Sequence, residues 1–244
     1  MKAVLLAIGL ILVIGTEAQV KIFAHNDYAK PEPLVNAIRF QADYIEADVF
    51  PGKEKLYVAH HKYEIDSSVT LDNLYIQPIV AMMKEFPDSI KGKSLVIDIK
   101  EKGEETINMI IRQLNPYRQY FDRSMNKNAV QVIISGDRGE VNKWLDYPAF
   151  IYFDGRPYEQ YSADQLSKVA LISDSYYRYV STSNPSDKSG LNAVIRQVHQ
   201  ANKPVRFWAT PDTEKCWKSL IAMGVDVMNT DQVENCRKVV GPGR

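Results

Sequence analysis

The stretch Tyr44-Ile45-Glu46-Ala47-Asp48-Val49 sets two carboxylates, one residue apart, inside an otherwise apolar run. A β-strand turns successive side chains to opposite faces, so Glu46 and Asp48 point the same way. The apolar positions between and around them predict a strand covered on both faces, the habit of parallel sheets. Two like charges on a covered face are costly unless something positive lies between them. The stretch therefore predicts both a buried parallel strand and a cation held at its end.

Working outward, runs of the same kind recur at Lys21–Ala24, Ser94–Ile99, Ala129–Ser135, Ala149–Phe153, Val169–Ser173, Pro204–Trp208 and Val225–Asn229. With Tyr44–Val49 they make eight strands, and Lys55–Ala59 reads as a further short strand in the loop after the second. Helical spacing fills the gaps at Pro33–Phe40, Leu71–Phe86, Glu105–Leu114, Gly190–Gln200 and Thr213–Met223. Pro78 predicts a break or kink in the second of these, and acidic Asp212 and Glu214 suit the start of the last. Eight strands alternating with helices predict an α/β fold, a (β/α)8 TIM barrel. A doubly wound sheet is the rival, but no Gly-x-Gly-x-x-Gly follows any strand.

A chain of 244 residues with 45% hydrophobic content can fill one such barrel. The formal charge is zero and there is no Lys/Arg block, which argues against nucleic acid as a partner. Lys2, the apolar residues Ala3 to Ile14 and Thr16-Glu17-Ala18 have the pattern of a cleaved signal peptide. Residues 1–18 are thus expected to direct export, periplasmic or secreted, leaving 19–244 as the barrel domain. No later stretch reads as a membrane span. Cys216 and Cys236 are the only cysteines. Export would permit a disulfide, and two separate thiols fit the sequence equally well.

Chemistry-bearing residues gather where barrel strands end, the face on which such folds carry their sites. His25 follows the first strand, Glu46 and Asp48 end the second, and Asp98 and Lys100 end the third with the same one-residue spacing. His60 and His61 lie in the loop beyond the second strand, and only one need act. Glu46, Asp48 and Asp98 with the amide oxygen of Asn26 form an all-oxygen ligand set, suited to Ca²⁺ or Mg²⁺ rather than zinc. Each group has a plainer reading: an Asp98–Lys100 ion pair, a core histidine at 25, a solvated histidine loop, or an Asx turn at Asn26-Asp27. Together they suit phosphodiester cleavage, in which two histidines divide acid and base work beside a cation.

These residues resemble the phospholipase C-like phosphodiesterase superfamily, which includes the glycerophosphodiester phosphodiesterases. The resemblance rests on His25, Ile45-Glu46-Ala47-Asp48-Val49, Val58-Ala59-His60, Ile97-Asp98-Ile99-Lys100, Phe207-Trp208-Ala209-Thr210 and Gly224-Val225-Asp226 through Thr230-Asp231. His25-Asn26-Asp27-Tyr28 with Leu71-Asp72-Asn73-Leu74-Tyr75-Ile76-Gln77-Pro78 is most similar to the fungal altered-inheritance-of-mitochondria proteins. The resemblance implies His25 and His60 as the acid–base pair, and Glu46, Asp48 and Asp98 as metal ligands. It further implies Lys100 as a phosphate contact and Trp208 as a pocket wall. Asn26 stands where glycerophosphodiesterases carry Arg and is similar to the calcium-dependent phosphoinositide phospholipases. Asp98-x-Lys100 resembles sphingomyelinase D-like phospholipases.

The expected activity is a metal-dependent phosphoric diester hydrolase, glycerophosphodiesterase- or phosphoinositide phospholipase C-like. Its expected partner is a small phosphodiester or a phospholipid head group. The alternatives are a sphingomyelinase D-like phospholipase and a barrel that binds phosphodiesters without turnover.

Overall fold

The computed structural model describes residues 19–242, so the expected signal segment 1–18 lies outside the described residues. Nine strands form one sheet: β1 (Lys21–Ala24), β2 (Tyr44–Pro51), β3 (Leu56–Val58), β4 (Ser94–Ile99), β5 (Gln131–Gly136), β6 (Ile151–Gly155), β7 (Val169–Ser175), β8 (Val205–Trp208) and β9 (Val227–Thr230). Eight of them pair in parallel in the order β1-β9-β8-β7-β6-β5-β4-β2, and β1 also pairs with β2. The ring is therefore closed, with no barrel strand left as an edge. β3 lies antiparallel on the far end of β2. The eight-stranded barrel expected from the sequence is the fold observed.

Eight helices are described: α1 (Val35–Arg39), α2 (Gln77–Glu85), α3 (Pro87–Ile90), α4 (Gly103–Leu114), α5 (Ala163–Ser167), α6 (Ser189–Gln200), α7 (Glu214–Ala222) and α8 (Val233–Val240). The stretch Leu71–Phe86 opens as a π-helical turn, Asp72–Ile76, and continues as α2. Pro78 sits inside this continuous helix just where π hydrogen bonding gives way to α, so the break expected there takes the form of a π turn before the proline rather than an end of the helix. At α7 the Thr213 side chain accepts from the Cys216 N–H, closing the helix start. Cys216 and Cys236 are buried free thiols. Among the described residues no helix is long and apolar enough to cross a membrane.

The two-residue period of the strands divides the molecule in two. One parity of each strand, including Ile22, Ile45, Ile97, Ile134 and Phe207, packs outward against the helices in the large core cluster. The other parity forms a separate cluster of Phe23, Tyr44, Val96, Ile133, Leu171 and Val227 that plugs the barrel interior. Burying each such side chain is worth about 1.5–3 kcal/mol. Two residues further along the same strands, the same inward direction gives His25, Glu46, Asp98, Ser135, Ser173 and Asn229. The apolar plug thus becomes a polar cup at the strands' C-terminal ends.

Candidate active site

The cup is a cavity of about 300 Å³ lined by His25, Asn26, Glu46, Asp48, His60, Asp98, Lys100, Ser135, Gly136, Arg156, Arg206 and Trp208. All eight residues given a role from the sequence, His25, Asn26, Glu46, Asp48, His60, Asp98, Lys100 and Trp208, line it. His61 does not; its ring stacks on Tyr63, 5.1 Å between centroids. The β2–β4 register sets Asp48 directly beside Asp98. Oxygens of Glu46, Asp48 and Asp98 lie within 4.8 Å of one another, a spacing that one cation can span. Gly136 lies against this group with φ +69°, and a Cβ there would sit 2.7 Å from Asp98 Oδ1. Only glycine fits that position without displacing the carboxylate.

Each histidine is held by a carboxylate at Nδ1. His25 Nδ1 lies 3.2 Å from Asp231 Oδ1, while its Nε2 faces Glu46 Oε2 at 3.7 Å. His60 Nδ1 lies 3.1 Å from Asp48 Oδ2. The Tyr28 hydroxyl stands among Asp48 Oδ2 at 2.7 Å, Asn26 Oδ1 at 2.9 Å and His60 Nδ1 at 3.2 Å. Asn26 takes a left-handed backbone (φ 49°), and its N–H donates to Glu46 Oε2 at 3.0 Å. Lys100 Nζ bridges Asp48 at 2.7 Å and Asp98 at 2.9 Å.

Burial and crowding set the charges. The Glu46 carboxyl is pushed up to about 6, chiefly by burial, with Arg206 and His25 opposing and Asp48 and Asp98 adding to the rise. Burial pulls the His25 imidazole down, but the Asp231 hydrogen bond and the Glu46 charge outweigh it, leaving the pKa above the ordinary histidine value. Lys100 follows the same pattern: burial lowers it, while Asp98 and Asp48 raise it to a net increase. The carboxylate cluster is short of positive charge, and its donors are all oxygen. It fits a hard divalent cation on both counts.

The sequence reading missed Tyr28, Arg156, Arg206, Asp154 and the use of Asp231 as a histidine partner. Arg206 is buried inside the barrel, its guanidinium 3.5 Å above the Phe23 ring. It reaches Glu46 at 3.7 Å and Asp154 at 3.5 Å, and donates from Nε to Asn229 at 3.0 Å. Asp27 proves structural: buried, it accepts from the Leu34 N–H at 2.6 Å and the Tyr75 hydroxyl at 2.9 Å.

Residues 14–91 match the AIM6-like phosphodiesterase domain, and residues 204–234 match the glycerophosphoryl diester phosphodiesterase family. The first match spans His25 to His60, and the second spans Arg206, Trp208 and Asp231. Over these stretches the chain is similar to AIM6-like and glycerophosphoryl diester phosphodiesterase domains. It is 25% identical over 256 residues to an altered inheritance of mitochondria protein 6 homolog from Arthroderma benhamiae, covering 88% of this chain and 82% of that protein. An AIM6 protein from Eremothecium gossypii is 25% identical over 89% of this chain and 69% of its own length. The barrel fold is shared with a glycerophosphodiester phosphodiesterase from Parabacteroides distasonis, at TM-score 0.62, 15% identity, and 93% and 98% coverage of the two chains. It is shared also with an Oleispira antarctica phosphodiesterase solved with the product sn-glycerol-3-phosphate, at TM-score 0.57, 13% identity, and 91% and 97% coverage.

Proposed function

We propose that the chain is a metal-dependent phosphoric diester hydrolase acting on glycerol- or inositol-type phosphodiesters. The observation that carries this reading is the meeting of two histidines, each held at Nδ1 by a carboxylate, with three convergent carboxylates in one cavity. Glu46, Asp48 and Asp98, with the Asn26 amide oxygen, would hold Ca²⁺ or Mg²⁺. Such a cation neutralises charge growing on the phosphoryl oxygens and lowers the pKa of a hydroxyl beside it.

The chain's own groups supply the remaining work. Asp231 and Asp48 favour the proton on Nδ1 of His25 and His60, leaving Nε2 of each as the working nitrogen. One imidazole accepts the proton of a neighbouring substrate hydroxyl as it attacks phosphorus, the other protonates the departing alcohol oxygen, and water then opens the cyclic phosphate with the two roles exchanged. Lys100 offers a fixed positive charge to the phosphate. The Trp208 ring supplies a wall for the alcohol moiety. Residues 1–18 serve as an export signal, which N-terminal sequencing of protein recovered outside the cytoplasm tests: a mature start near Gln19 is expected, and an intact Met1 contradicts it.

The activity test is a panel of glycerophosphodiesters, phosphoinositides and sphingophospholipids assayed with and without divalent ions. Turnover is expected to fall to background on chelation and in the His25→Ala/His60→Ala double variant. Full activity in either case would sink the mechanism. One observation favours a second reading, a binding barrel without turnover: Lys100 Nζ already lies between Asp48 and Asp98 and compensates part of their charge. Tight binding across the panel with no hydrolysis would select it.

A further inference from the structure

Across the barrel from β2 and β4, the cavity carries two guanidinium groups with no part in the chemistry above. Arg206 and Arg156 are 3% and 8% exposed. Asp154, itself fully buried, is the carboxylate that anchors both, 3.0 Å from Arg156 Nη1 and 3.5 Å from Arg206 Nη1. One carboxylate thus serves two buried cations, and the other acids acting on Arg206, Glu46 at 3.7 Å and Asp98, both belong to the cation cluster. This wall of the cavity therefore holds positive charge in excess.

Arg156 is also aimed. Its side-chain bonds all run through Nη1, to the carbonyls of Asp154 at 3.1 Å and Gly155 at 2.9 Å and to the Asp154 carboxylate. The guanidinium packs over the Trp208 ring at 4.8 Å. Its plane is therefore fixed, and on this cavity-lining residue Nε and Nη2 make none of these bonds. The Nε–Nη2 edge is the fork that grips an oxyanion with two parallel hydrogen bonds. A buried cation costs free energy unless it is paired, and a ligand oxyanion would supply the missing partner.

We propose that Arg156, backed by Arg206 and flanked by Trp208, forms a second oxyanion subsite that takes a phosphomonoester carried on the alcohol moiety of the substrate. The assignment of this group to a substrate rests on the diesterase reading, whereas the anion site itself does not. The preferred substrate class is then a diester whose alcohol bears an additional phosphate, with the Trp208 ring against the carbon skeleton between the two charges.

Two measurements test this. In EDTA, where the carboxylate cluster holds no metal, inorganic phosphate binding to the full chain is followed by calorimetry. Binding is expected for the wild type and at least about tenfold weaker for Arg156→Gln, as befits a lost charge-assisted fork. With metal restored, glycerophosphoinositol and glycerophosphoinositol 4-phosphate are compared. The wild type is expected to favour the second by about tenfold or more in kcat/KM, and Arg156→Gln to bring the ratio close to one. Arg156→Lys keeps the charge but loses the fork, and is read in the same way if the glutamine variant does not fold. Equal phosphate binding by wild type and variant, or an unchanged substrate ratio, would overturn the subsite. Phosphate held through Arg156 by a protein that hydrolyses no diester would instead keep the subsite and overturn the diesterase reading.

Discussion

Asp154 is the residue whose removal the structure prices most clearly. Its carboxylate is fully buried, pairs with Arg156 and Arg206 at 3.0 and 3.5 Å, and accepts from Ser135 Oγ at 3.0 Å and from Ser173 Oγ. Asp154→Asn keeps the shape and deletes the charge, stranding two buried guanidinium groups. Breaking a buried pair from one side costs about 3–5 kcal/mol. For a domain of this size that is a fall in Tm of about 6–20 °C. The loss also has a pH signature. Burial pushes the Asp154 carboxyl up, but Arg156, Arg206 and the Ser173 hydrogen bond hold it below the usual aspartate value. A carboxyl depressed in the native state adds stability that is fully present above its unfolded pKa of about 3.9 and is lost as pH falls through the native pKa. The gap between wild type and Asp154→Asn is therefore expected to be constant between about pH 5 and 8 and to shrink in acid. Urea unfolding of both proteins at pH 7 and about pH 3 measures it. A loss below about 1 kcal/mol at pH 7, or a gap that widens in acid, would refute the reasoning.

Two further outcomes follow from the site. With Glu46 raised to about 6 and its unfolded value near 4.3, the native ionised form is disfavoured, so stability falls as pH rises through this range. Glu46→Gln is expected to stabilise the metal-free protein by up to about 2 kcal/mol at pH 7–8 in EDTA and to abolish stabilisation by added Ca²⁺ or Mg²⁺. No gain in EDTA would contradict the charge deficit. Asp231→Asn removes the hydrogen bond that chiefly offsets the burial of His25, so the His25 imidazole titration followed by NMR is expected to move to lower pH. An unmoved titration would show that Asp231 does not hold this ring.

The strands were legible because buried parallel strands leave short apolar runs that need no partner to be recognised. Helices α5 and α8 escaped notice for a related reason. α5 has no buried residue, and Cys236 is the one buried residue of α8, so neither carries a long apolar stripe. Within the site, Glu46 and Asp48 stood out as charges in an apolar run, and Asp98 with Lys100 repeated the spacing. Asp154, Arg206 and Asn229 carried the same signal more weakly. Each follows an inward apolar or aromatic position by two residues, or precedes Trp208 by two, but only closure of the ring turns that parity into a shared interior. Tyr28 and Asp231 lie beyond strand ends, where the two-residue period no longer applies.

The central claim is that the Glu46–Asp48–Asp98 cluster and the two histidines form one diesterase centre. The most direct test is the initial rate of glycerophosphodiester hydrolysis by metal-stripped protein as Ca²⁺ or Mg²⁺ is titrated in. The account predicts no rate without metal, saturable recovery with it, and no recovery in Asp48→Asn or His60→Ala. A rate independent of added metal, or full recovery in either variant, would contradict it.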